Sequence, residues 1–579
     1  MFTRKHVLNL SVLLLLSGLF LFVGLGSMGL TDRDEGRNAE AGREMLETGD
    51  WVTPTFNYEP RFYKPALVYW LMSGSYHLFG VNEFAARFPS ALFGTALILI
   101  QYCFLAGWRD ERIGLFGALM LLLNIEIIGL SRMALTDSVL VFFTTVAQLG
   151  FLAGLHGQGR ARHWIWTFYV GMALATLAKG PVGFIVPLIT MSLYLSATKR
   201  WRQYWQEGVP LLGTVLFVAC ALPWYGTMFS IHGSSYVAIA KAQTVGRFLS
   251  PMEGHGFGLL FYVPVLLLGF FPWSGLLPMA LYHTFRTWRA ARRGLFPASP
   301  SVASYELELY AALWLIGGFM FFTISSTRLQ HYIAPLFPAA AILTAIYWER
   351  GLIEPALKGL RASIHLMIGL GLLLALGFSA VPWIYSRFLG KMLKEFPAAA
   401  LLDPSAPEAG PYAAAMVLLV GMALVAYFGL SEERRAGAFW AAGGSLALVG
   451  LIAIQLTFPM LNRYFIAPPQ ELAYAAGVNL RREDRFIVYG STRPSTVFYA
   501  KRKAIFVPSG EEDKITTTLA QPGVTMMLLP ETYASKLPAE AGQLVPILKR
   551  YGFLLLSNQS MVTIPEGSPN TPAPRPLGH

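Results

Sequence analysis

An acidic stretch, Asp32-Arg33-Asp34-Glu35, follows directly after the first long apolar run of the chain. Carboxylates at the end of a membrane helix, where water meets lipid, can stay ionised and act as a general base or as a partner for a developing cation. The residues from Ala39 to Leu46 have helical, amphipathic spacing. A second interpretation is therefore a solvated helix on the membrane surface with Asp34 as its N-cap. The pattern alone leaves both interpretations open.

A lysine among aromatic residues occurs in the same loop, in Arg61-Phe62-Tyr63-Lys64-Pro65. A lysine at headgroup depth can pair with a phosphate as a point charge. The alternative is an anchor whose aliphatic stem lies along lipid while its ammonium reaches water.

A third candidate is Asp137, in the stretch Ala134-Leu135-Thr136-Asp137-Ser138, at the start of another apolar run. It can be the N-cap of that helix, a functional carboxylate, or both.

Further cations and hydrogen-bond donors lie in loops that we expect on the same face. Clustered basic groups near the membrane interface suit a lipid-linked phosphate, although a single histidine is more often a structural donor. The sequence supplies no obvious set of two or three metal ligands. These residues are Lys179, Arg247, His255, Arg328, His331 and Tyr332.

The composition indicates the elements that must position these groups. Of 579 residues, 54% are hydrophobic and 13% are charged, whereas soluble domains carry about 25% charged residues. The net charge of +12 comes from Lys and Arg clustered between apolar runs, which argues against a nucleic-acid partner. Cys103 and Cys220 both lie in apolar runs, so we expect no disulfide framework.

Thirteen apolar runs are long enough to be candidate membrane spans. Residues 65–80 are also apolar but too short to count. The predicted spans are 8–29, 84–106, 113–130, 135–155, 164–178, 181–197, 208–228, 259–281, 307–325, 333–348, 362–385, 411–430 and 437–458.

Loop charges predict the orientation. Basic residues occur at the N-terminus and in every second loop, from Arg109 and Arg112 to Arg434-Arg435. With thirteen spans these loops all fall on one side, which the positive-inside rule assigns to the cytoplasm. The acidic loop, Lys64 and the C-terminal tail then lie outside, so we expect a protein of the bacterial inner membrane with a periplasmic C-terminal domain.

The tail differs in character from the rest of the chain. Short apolar segments bounded by Gly and Pro predict strands at 485–490, 504–508, 524–530 and 553–565, with helices at 511–520 and 531–544 between them. We expect a membrane domain at 1–458, a small α/β domain at 459–565, and a disordered Pro- and Gly-rich end at 566–579.

The loop motifs resemble a known family. Asp34 to Glu40, Arg43 to Pro54, Tyr63-Lys64-Pro65 and Phe79 to Arg87 are similar to the bacterial lipid A aminoarabinose transferases. These enzymes are related to the protein O-mannosyltransferases among the GT-C membrane glycosyltransferases. The similarity continues through Leu135-Thr136-Asp137, Ala178 to Pro181, Arg247-Phe248 and Leu329 to Pro335.

The resemblance implies a polytopic α-helical GT-C fold with about thirteen spans and a small outer α/β domain. It also implies an inverting transfer from a polyprenyl-phosphate sugar to a periplasmic acceptor such as lipid A. Asp34 and Asp137 would be catalytic, and Lys64, Arg247 and Lys179 would hold the donor phosphate. The pocket would be completed by Glu35, Arg37, Tyr63, His255, Arg328, His331 and Tyr332.

The chain also departs from that family. Tyr63 stands where many members have a Glu linked to a bound metal, so no metal ligands are assigned and a divalent metal is left open. Asn38 replaces a usual Tyr, and Gln330-His331-Tyr332 replaces a usual Pro-Thr-Tyr. These departures leave the sugar and the acceptor undecided.

A polyprenyl-phosphate-dependent glycosyltransferase is the favoured hypothesis. The alternative is an enzyme similar to the protein O-mannosyltransferases, whose acceptor would be a protein. A lipid-linked sugar transporter or flippase would need ionisable groups at mid-bilayer, and Glu126 is the only acid well inside a predicted span. A non-catalytic assembly protein would leave the loop motifs without a role.

Overall fold

The computed structural model describes residues 3–251, 256–293, 302–354, 356–395 and 406–559. In these ranges the protein consists of a large bundle of apolar helices and a small α/β unit at the C-terminal end. The predicted disordered end, 566–579, lies outside the described residues.

The chain is a multi-pass helical membrane protein. Within the described ranges, nine helices are long and apolar enough to cross a bilayer. They are Arg4–Phe22, Glu83–Trp108, Asp137–His156, Pro210–Leu249, Tyr305–Ile324, Gln330–Ile353, Leu360–Phe388, Ala409–Gly429 and Ala436–Asn479.

Two bent helix pairs would raise the number of candidate crossing helices in the described ranges to eleven if each pair is one span. The pairs are Glu111–Leu122 with Ile125–Ser131, bent by 66°, and Leu259–Gly269 with Trp273–Arg292, bent by 112°. The segments predicted at 164–178 and 181–197 are helical but short, at Ile165–Lys179 and Val182–Thr198. Every predicted span therefore contains helix, whereas the count of thirteen is not confirmed.

The loop between the first two long helices is ordered and largely buried. It contains the helix Asp34–Thr48, a short hairpin of strands Thr55–Phe56 and Glu59–Pro60, and the helix Leu67–Phe79. The two helices pack closely, since a Cβ added at Gly42 would lie 2.9 Å from Cβ of Met72. The run at 65–80 is thus a packed helix within the loop.

A kink in the long helix beginning at Pro210 precedes polar groups of the site. Gly233 has a φ of 54°, a conformation that favours glycine, and it interrupts the helix. The chain then continues through Tyr236 and Gln243 to Arg247. All three of these residues line the cavity described below.

The C-terminal sheet has five strands in the spatial order Ala504–Val507, Arg485–Tyr489, Thr525–Pro530, Phe553–Ser557 and Val545–Arg550. The first three are parallel and the last two are antiparallel to their neighbours. The strand at 545–550 and the helix Ser495–Ala500 were not predicted. The segment predicted as one helix at 531–544 forms two short 3₁₀ turns, Glu531–Lys536 and Ala539–Gln543.

Alternate residues of the sheet build two separate cores, as the two-residue repeat of a strand requires. Phe486 and Val488 face the helices Ala467–Asn479 and Ser495–Ala500. Ile487 and Tyr489 face the other side, which contains Ile515 of the helix Asp513–Leu519.

The last membrane helix and the α/β unit share one continuous helix. From Ala436 to Asn479 the chain stays helical for 44 residues. It passes through two π-helical segments, Ala453–Thr457 and Asn462–Ile466. The predicted domain boundary at residue 458 therefore falls inside a helix.

Candidate active site

The helix Asp34–Thr48 begins at the residue that the resemblance marks as catalytic. Arg33 precedes it with a φ of 71°, an unusual conformation for a residue with a side chain. Asp34 is the first helical residue and its carboxylate lies in the positive end of the helix.

The helix itself is buried, so the prediction of a solvated surface helix is wrong. Gly36 and every residue from Asn38 to Met45 are buried. Three of its charged residues pair with one another, since Arg43 donates to Glu40 at 2.7 Å and to Glu47 at 2.6 Å. A helix with many charged residues can be buried when some of its acidic and basic side chains pair with one another.

The Asp34 carboxylate is exposed and surrounded by cations. Burial by neighbouring atoms alone would raise the pKa of Asp34, but the positive charges of Lys64, Arg61, Arg37 and Lys179 outweigh it and lower the pKa. In the described part of the chain no group donates a hydrogen bond to this carboxylate. Asp34 is therefore an ionised carboxylate with free lone pairs.

A cavity of about 400 Å³ lies beside Asp34. Its polar groups include Lys64, Lys179, Arg247, Tyr63 and Tyr332. The rest of its wall is mainly aromatic and aliphatic. These residues are Phe62, Pro65, Leu140, Gly180, Pro181, Val182, Ile185, Trp224, Tyr225, Tyr236, Ala240, Val245, Phe248, Leu249, Phe321 and Phe322.

Lys64 lines the cavity among other cations. Among the described residues no carboxylate lies within salt-bridge distance of its ammonium. Burial and the charge of Lys179 lower the pKa of Lys64 to about 8, while Asp34 and Asp137 act in the opposite direction. An anion entering the cavity would offset the repulsion between the positive charges of Lys64 and Lys179.

Lys179 is already paired. Its Nζ lies 2.5 Å from Oδ1 of Asp137 and 4.9 Å from the centre of the Tyr332 ring. Asp137 occupies the first turn of the helix Asp137–His156, whose N-cap residue is Thr136, so Asp137 is not the N-cap. The pair places one positive and one negative group together at the cavity wall.

Arg247 and Tyr332 complete this wall. The Arg247 guanidinium donates to the Tyr332 hydroxyl at 3.2 Å and to Oε1 of Gln243 at 2.7 Å. His331 lies next to Tyr332, and the charges of Asp137 and Lys179 act on it. The structure therefore brings Asp34, Lys64, Asp137, Lys179, Arg247, His331 and Tyr332 into one electrostatic cluster.

Two predicted pocket residues, Glu35 and Arg328, are placed differently. Glu35 is fully buried and accepts hydrogen bonds from Arg87 at 2.7 and 3.1 Å, so it joins the loop to the membrane helices. Arg328 donates to the carbonyls of Phe257 and Thr323, which closes a neighbouring turn. His255 lies outside the described residues.

Arg61 is a site residue that the sequence did not single out. It is buried and donates to Oδ1 of Asn38 at 3.0 Å and to the Tyr69 hydroxyl at 2.9 Å. Its charge also acts on Asp34. The feature of the sequence that could have identified Arg61 is its place in the same loop motif as Lys64. The cavity aromatics Trp224 and Tyr236 gave no comparable signal, because they sit in or beside an apolar run.

Possible metal ligands are few among the described residues. These residues contain no group of three or more His, Cys, Asp or Glu side chains close enough to hold an ion. Tyr63 lines the cavity where the resemblance would place a carboxylate.

Comparison with known proteins agrees with this geometry. Residues 32–237 match the profile of the dolichyl-phosphate-mannose-protein mannosyltransferase family. The chain is 29% identical over 392 residues to the undecaprenyl phosphate-alpha-4-amino-4-deoxy-L-arabinose arabinosyl transferase of Edwardsiella ictaluri. It is 31% identical over 338 residues to the enzyme of that name from Pseudomonas aeruginosa. These matches span 66% and 58% of the respective relatives, and the same shares of this chain.

The fold has been seen before in a solved structure. The crystal structure of ArnT from Cupriavidus metallidurans bound to undecaprenyl phosphate matches 97% of this chain and 99% of that one. The TM-score is 0.75 at 23% sequence identity. The resemblance indicated by the loop motifs is thus confirmed: in sequence the chain resembles the aminoarabinose transferases, relatives of the protein O-mannosyltransferases, and its fold is the GT-C fold of ArnT.

Proposed function

We propose that this protein is a glycosyltransferase that takes a sugar from a polyprenyl phosphate and transfers it, with inversion, to an acceptor at the outer face of a bacterial inner membrane. The observation that carries the proposal is the opposition of Asp34 and Lys64. An ionised carboxylate without hydrogen bonds stands beside a cavity whose ammonium lacks a salt-bridge partner among the described residues.

The cavity suits a lipid-linked phosphate. Its wall is largely apolar, as a prenyl chain requires, and its cations Lys64 and Arg247 face the same space. Cleavage of the bond between the sugar C1 and the phosphate oxygen leaves the electron pair on the phosphate. Fixed cations next to that oxygen stabilise the transition state as this charge develops.

Asp34 provides the complementary function on the acceptor side. When the acceptor is a hydroxyl, its oxygen attacks C1 and Asp34 accepts its proton. The lowered pKa of Asp34 keeps the carboxylate ionised at neutral pH and ready to accept this proton. An acceptor that is already an ionised phosphate needs no such base, and Asp34 would then stabilise positive charge on the sugar ring.

We assign Lys179 and Asp137 a shared role that differs from what the resemblance implies, which is phosphate binding by Lys179 and catalysis by Asp137. Their 2.5 Å pair is neutral overall. We assign it to holding the cavity wall and Tyr332 in place, with Asp137 next to the sugar. Lys64 and Arg247 then remain as the groups that bind the phosphate.

The acceptor class has two candidates. The resemblance of the loop motifs to the lipid A aminoarabinose transferases favours lipid A, whereas the match to the protein mannosyltransferase profile favours a protein hydroxyl. The orientation inferred from the basic loops puts the N-terminus in the cytoplasm and the α/β unit in the periplasm. Either acceptor is accessible from that side.

The test is transfer by purified protein supplied with lipid A, with an acceptor protein, and with undecaprenyl-phosphate aminoarabinose or its hexose analogue as donor. Label is followed into lipid A and into protein. We expect label in lipid A from the wild type and a loss of at least about 10³-fold in Asp34→Asn, a typical cost of removing a general base.

The matched control is Asp50→Asn in the same loop. Asp50 accepts hydrogen bonds from the backbone N–H groups of Val52 and Thr53 through Oδ1, an interaction that an amide oxygen retains. We expect full activity in this variant. Full activity in Asp34→Asn, with the protein folded, would overturn the proposed function.

A further inference from the structure

The backbone that leads to Asp34, which we call the entry segment (residues 29–33), is held from two sides. Asp34 has no hydrogen bond to its carboxylate among the described residues. Its position must therefore come from the backbone that precedes and follows it. That backbone is fixed partly by the membrane helices and partly by the C-terminal α/β unit.

The membrane side is held by Arg87 of the helix Glu83–Trp108. Its guanidinium donates to the carbonyl oxygens of Leu25 at 2.9 Å, Met28 at 2.6 Å and Gly29 at 2.9 Å. The same side chain forms the buried pair with Glu35 just beyond Asp34.

The opposite side is held by the long C-terminal helix and the α/β unit. The backbone N–H of Gly29 donates to Oδ1 of Asn462 at 2.9 Å. The N–H of Leu30 donates to the Tyr499 hydroxyl at 3.0 Å, and Gln470 donates to the Leu30 carbonyl at 2.5 Å. A part of the chain more than 400 residues away thus determines the path of the entry segment.

Asp32 is the side chain of the entry segment that makes the same connection. The backbone N–H of Ser495 donates to its Oδ1 at 2.9 Å, and Arg493 lies 3.5 Å from its Oδ2. Arg493 in turn lies over the ring of Phe553, at 5.1 Å from the ring centre, in the sheet of the α/β unit. Burial raises the pKa of Asp32 while Arg493 opposes that effect.

The contact is tight at the first turn of the Asp34 helix as well. A Cβ added at Gly36 would lie 2.7 Å from the backbone nitrogen of Ser495 and 3.0 Å from its Cα. Only a glycine lets the two backbones approach so closely. Asp34 therefore lies between two contacts with the same residue of the α/β unit, one at Asp32 and one at Gly36.

We propose that Asp32 is a positioning residue that ties Asp34 to the α/β unit through Ser495 and Arg493, so that the C-terminal unit takes part in assembling the active site. This inference rests on the proposed function. A carboxylate acting as a base must be placed to within a fraction of an ångström of its target. Asp34 can meet that requirement only if residues 32 and 36 are held.

The experiment measures kcat and KM for the polyprenyl-phosphate sugar in full-length protein, with kcat expressed per carrier-binding site. In Asp32→Ala we expect kcat to fall by about 10- to 100-fold, the typical effect of displacing a reacting group by about 1 Å. The KM for the donor should stay within about twofold, because the phosphate-binding Lys64 and Arg247 lie outside the entry segment. Asp32→Asn keeps an acceptor for Ser495 and should lose less.

A second variant tests the same contact without touching a charge. Gly36→Ala would push Ser495 away and should reproduce the split between kcat and KM. The matched control is Gly74→Ala, since a Cβ at Gly74 meets nothing within 4 Å. Glu59→Gln is the control for Asp32, because Glu59 pairs with Lys503 of the same α/β unit at 2.7 Å but on an exposed surface.

The outcomes separate this inference from the proposed function. Wild-type kcat in both Asp32→Ala and Gly36→Ala would overturn the positioning role while Asp34→Asn remains inactive. An equal loss of kcat in Glu59→Gln would also overturn it, because any contact with the α/β unit would then suffice. Should Asp32→Ala fail to fold, Gly36→Ala decides by the same criterion.

Discussion

Replacing Lys64 should change how the protein binds polyprenyl phosphate and how that binding depends on pH. Lys64 lines the cavity without a salt bridge to any described carboxylate, beside Lys179 and Arg247. Burial and these neighbouring charges lower the pKa of Lys64 to about 8. A phosphate entering the cavity supplies the negative charge that the ammonium lacks. The free energy gained when the phosphate binds should therefore be related to the free energy that it costs to keep Lys64 protonated before the phosphate enters.

The pKa gives the size of that cost. The ordinary value for lysine is 10.5 and the value here is about 8, and each tenfold change in a protonation equilibrium is about 1.4 kcal/mol. Keeping this group charged therefore costs about 3 kcal/mol. A phosphate that offsets this cost would change Kd on the order of 10²-fold, and less to the extent that solvent screens the pair.

The assay is equilibrium binding of undecaprenyl phosphate to the protein in lipid nanodiscs from pH 5 to pH 10. A lysine is charged below its pKa, so wild-type affinity should fall as the pH rises through about 8. It should also weaken below about pH 6, where a phosphate monoester loses its second charge. The Lys64→Met variant should bind roughly 10- to 100-fold more weakly below pH 8 and lack the alkaline fall.

Two further variants complete the test. Lys64→Arg keeps its charge at all these pH values and should lose the alkaline fall while keeping most of the affinity. Lys503→Met removes an exposed cation of the α/β unit and should leave the curve unchanged. Wild-type affinity together with the wild-type alkaline fall in Lys64→Met would refute the reasoning.

Three further predictions concern the charges around the site. Asp137→Asn removes the carboxylate that lies 2.5 Å from the Lys179 ammonium. Undecaprenyl phosphate should then bind roughly tenfold more tightly, while sugar transfer slows. Unchanged affinity would show that Lys179 does not face the phosphate. Arg87→Met leaves buried Glu35 without its partner and should destabilise the protein by about 3–5 kcal/mol, seen as earlier thermal unfolding, and a wild-type melting curve would contradict this. Burial and the charge of Glu40 raise the pKa of Glu44 to about 8, so the folded state holds this proton and stability should decline as the pH rises from about 4.5 to about 8. Glu44→Gln should flatten that decline in melting curves recorded across this range, and an unchanged slope would count against a protonated Glu44.

The membrane helices could be predicted because their signal is local. An apolar run between basic loops has few alternatives in a bilayer, and each predicted run contains helix. The number of spans was harder, since bends of 66° and 112° and two short helices leave no mark in hydropathy. The end of the last helix was missed because Pro459 and Asn462-Arg463 look like a boundary, yet the chain remains helical through them.

The site was predicted in part, for a related reason. Asp34, Lys64 and Asp137 stood out as ionisable residues next to apolar runs, and the structure brings them together. Spacing could not distinguish Asp34 from Glu35. Glu35 is buried against Arg87, whereas Asp34 lies near the cations of the cavity. This difference depends on how the α/β unit and the first helices pack around the loop. The strand at 545–550 was missed because Pro546, Lys549 and Arg550 give it the composition of an edge or a loop.

The continuous helix from Ala436 to Asn479 fixes the rotation of the α/β unit about the helix axis relative to the membrane helices. One residue inserted into it would turn everything beyond the insertion by about 100° and move it by about 1.5 Å along the axis. Ser495 and Asn462 would then no longer face the entry segment on the same side. The length of this helix is thus under as much constraint as any side chain of the site. An exchange of α/β units between relatives would succeed only where the helical register is carried over with them.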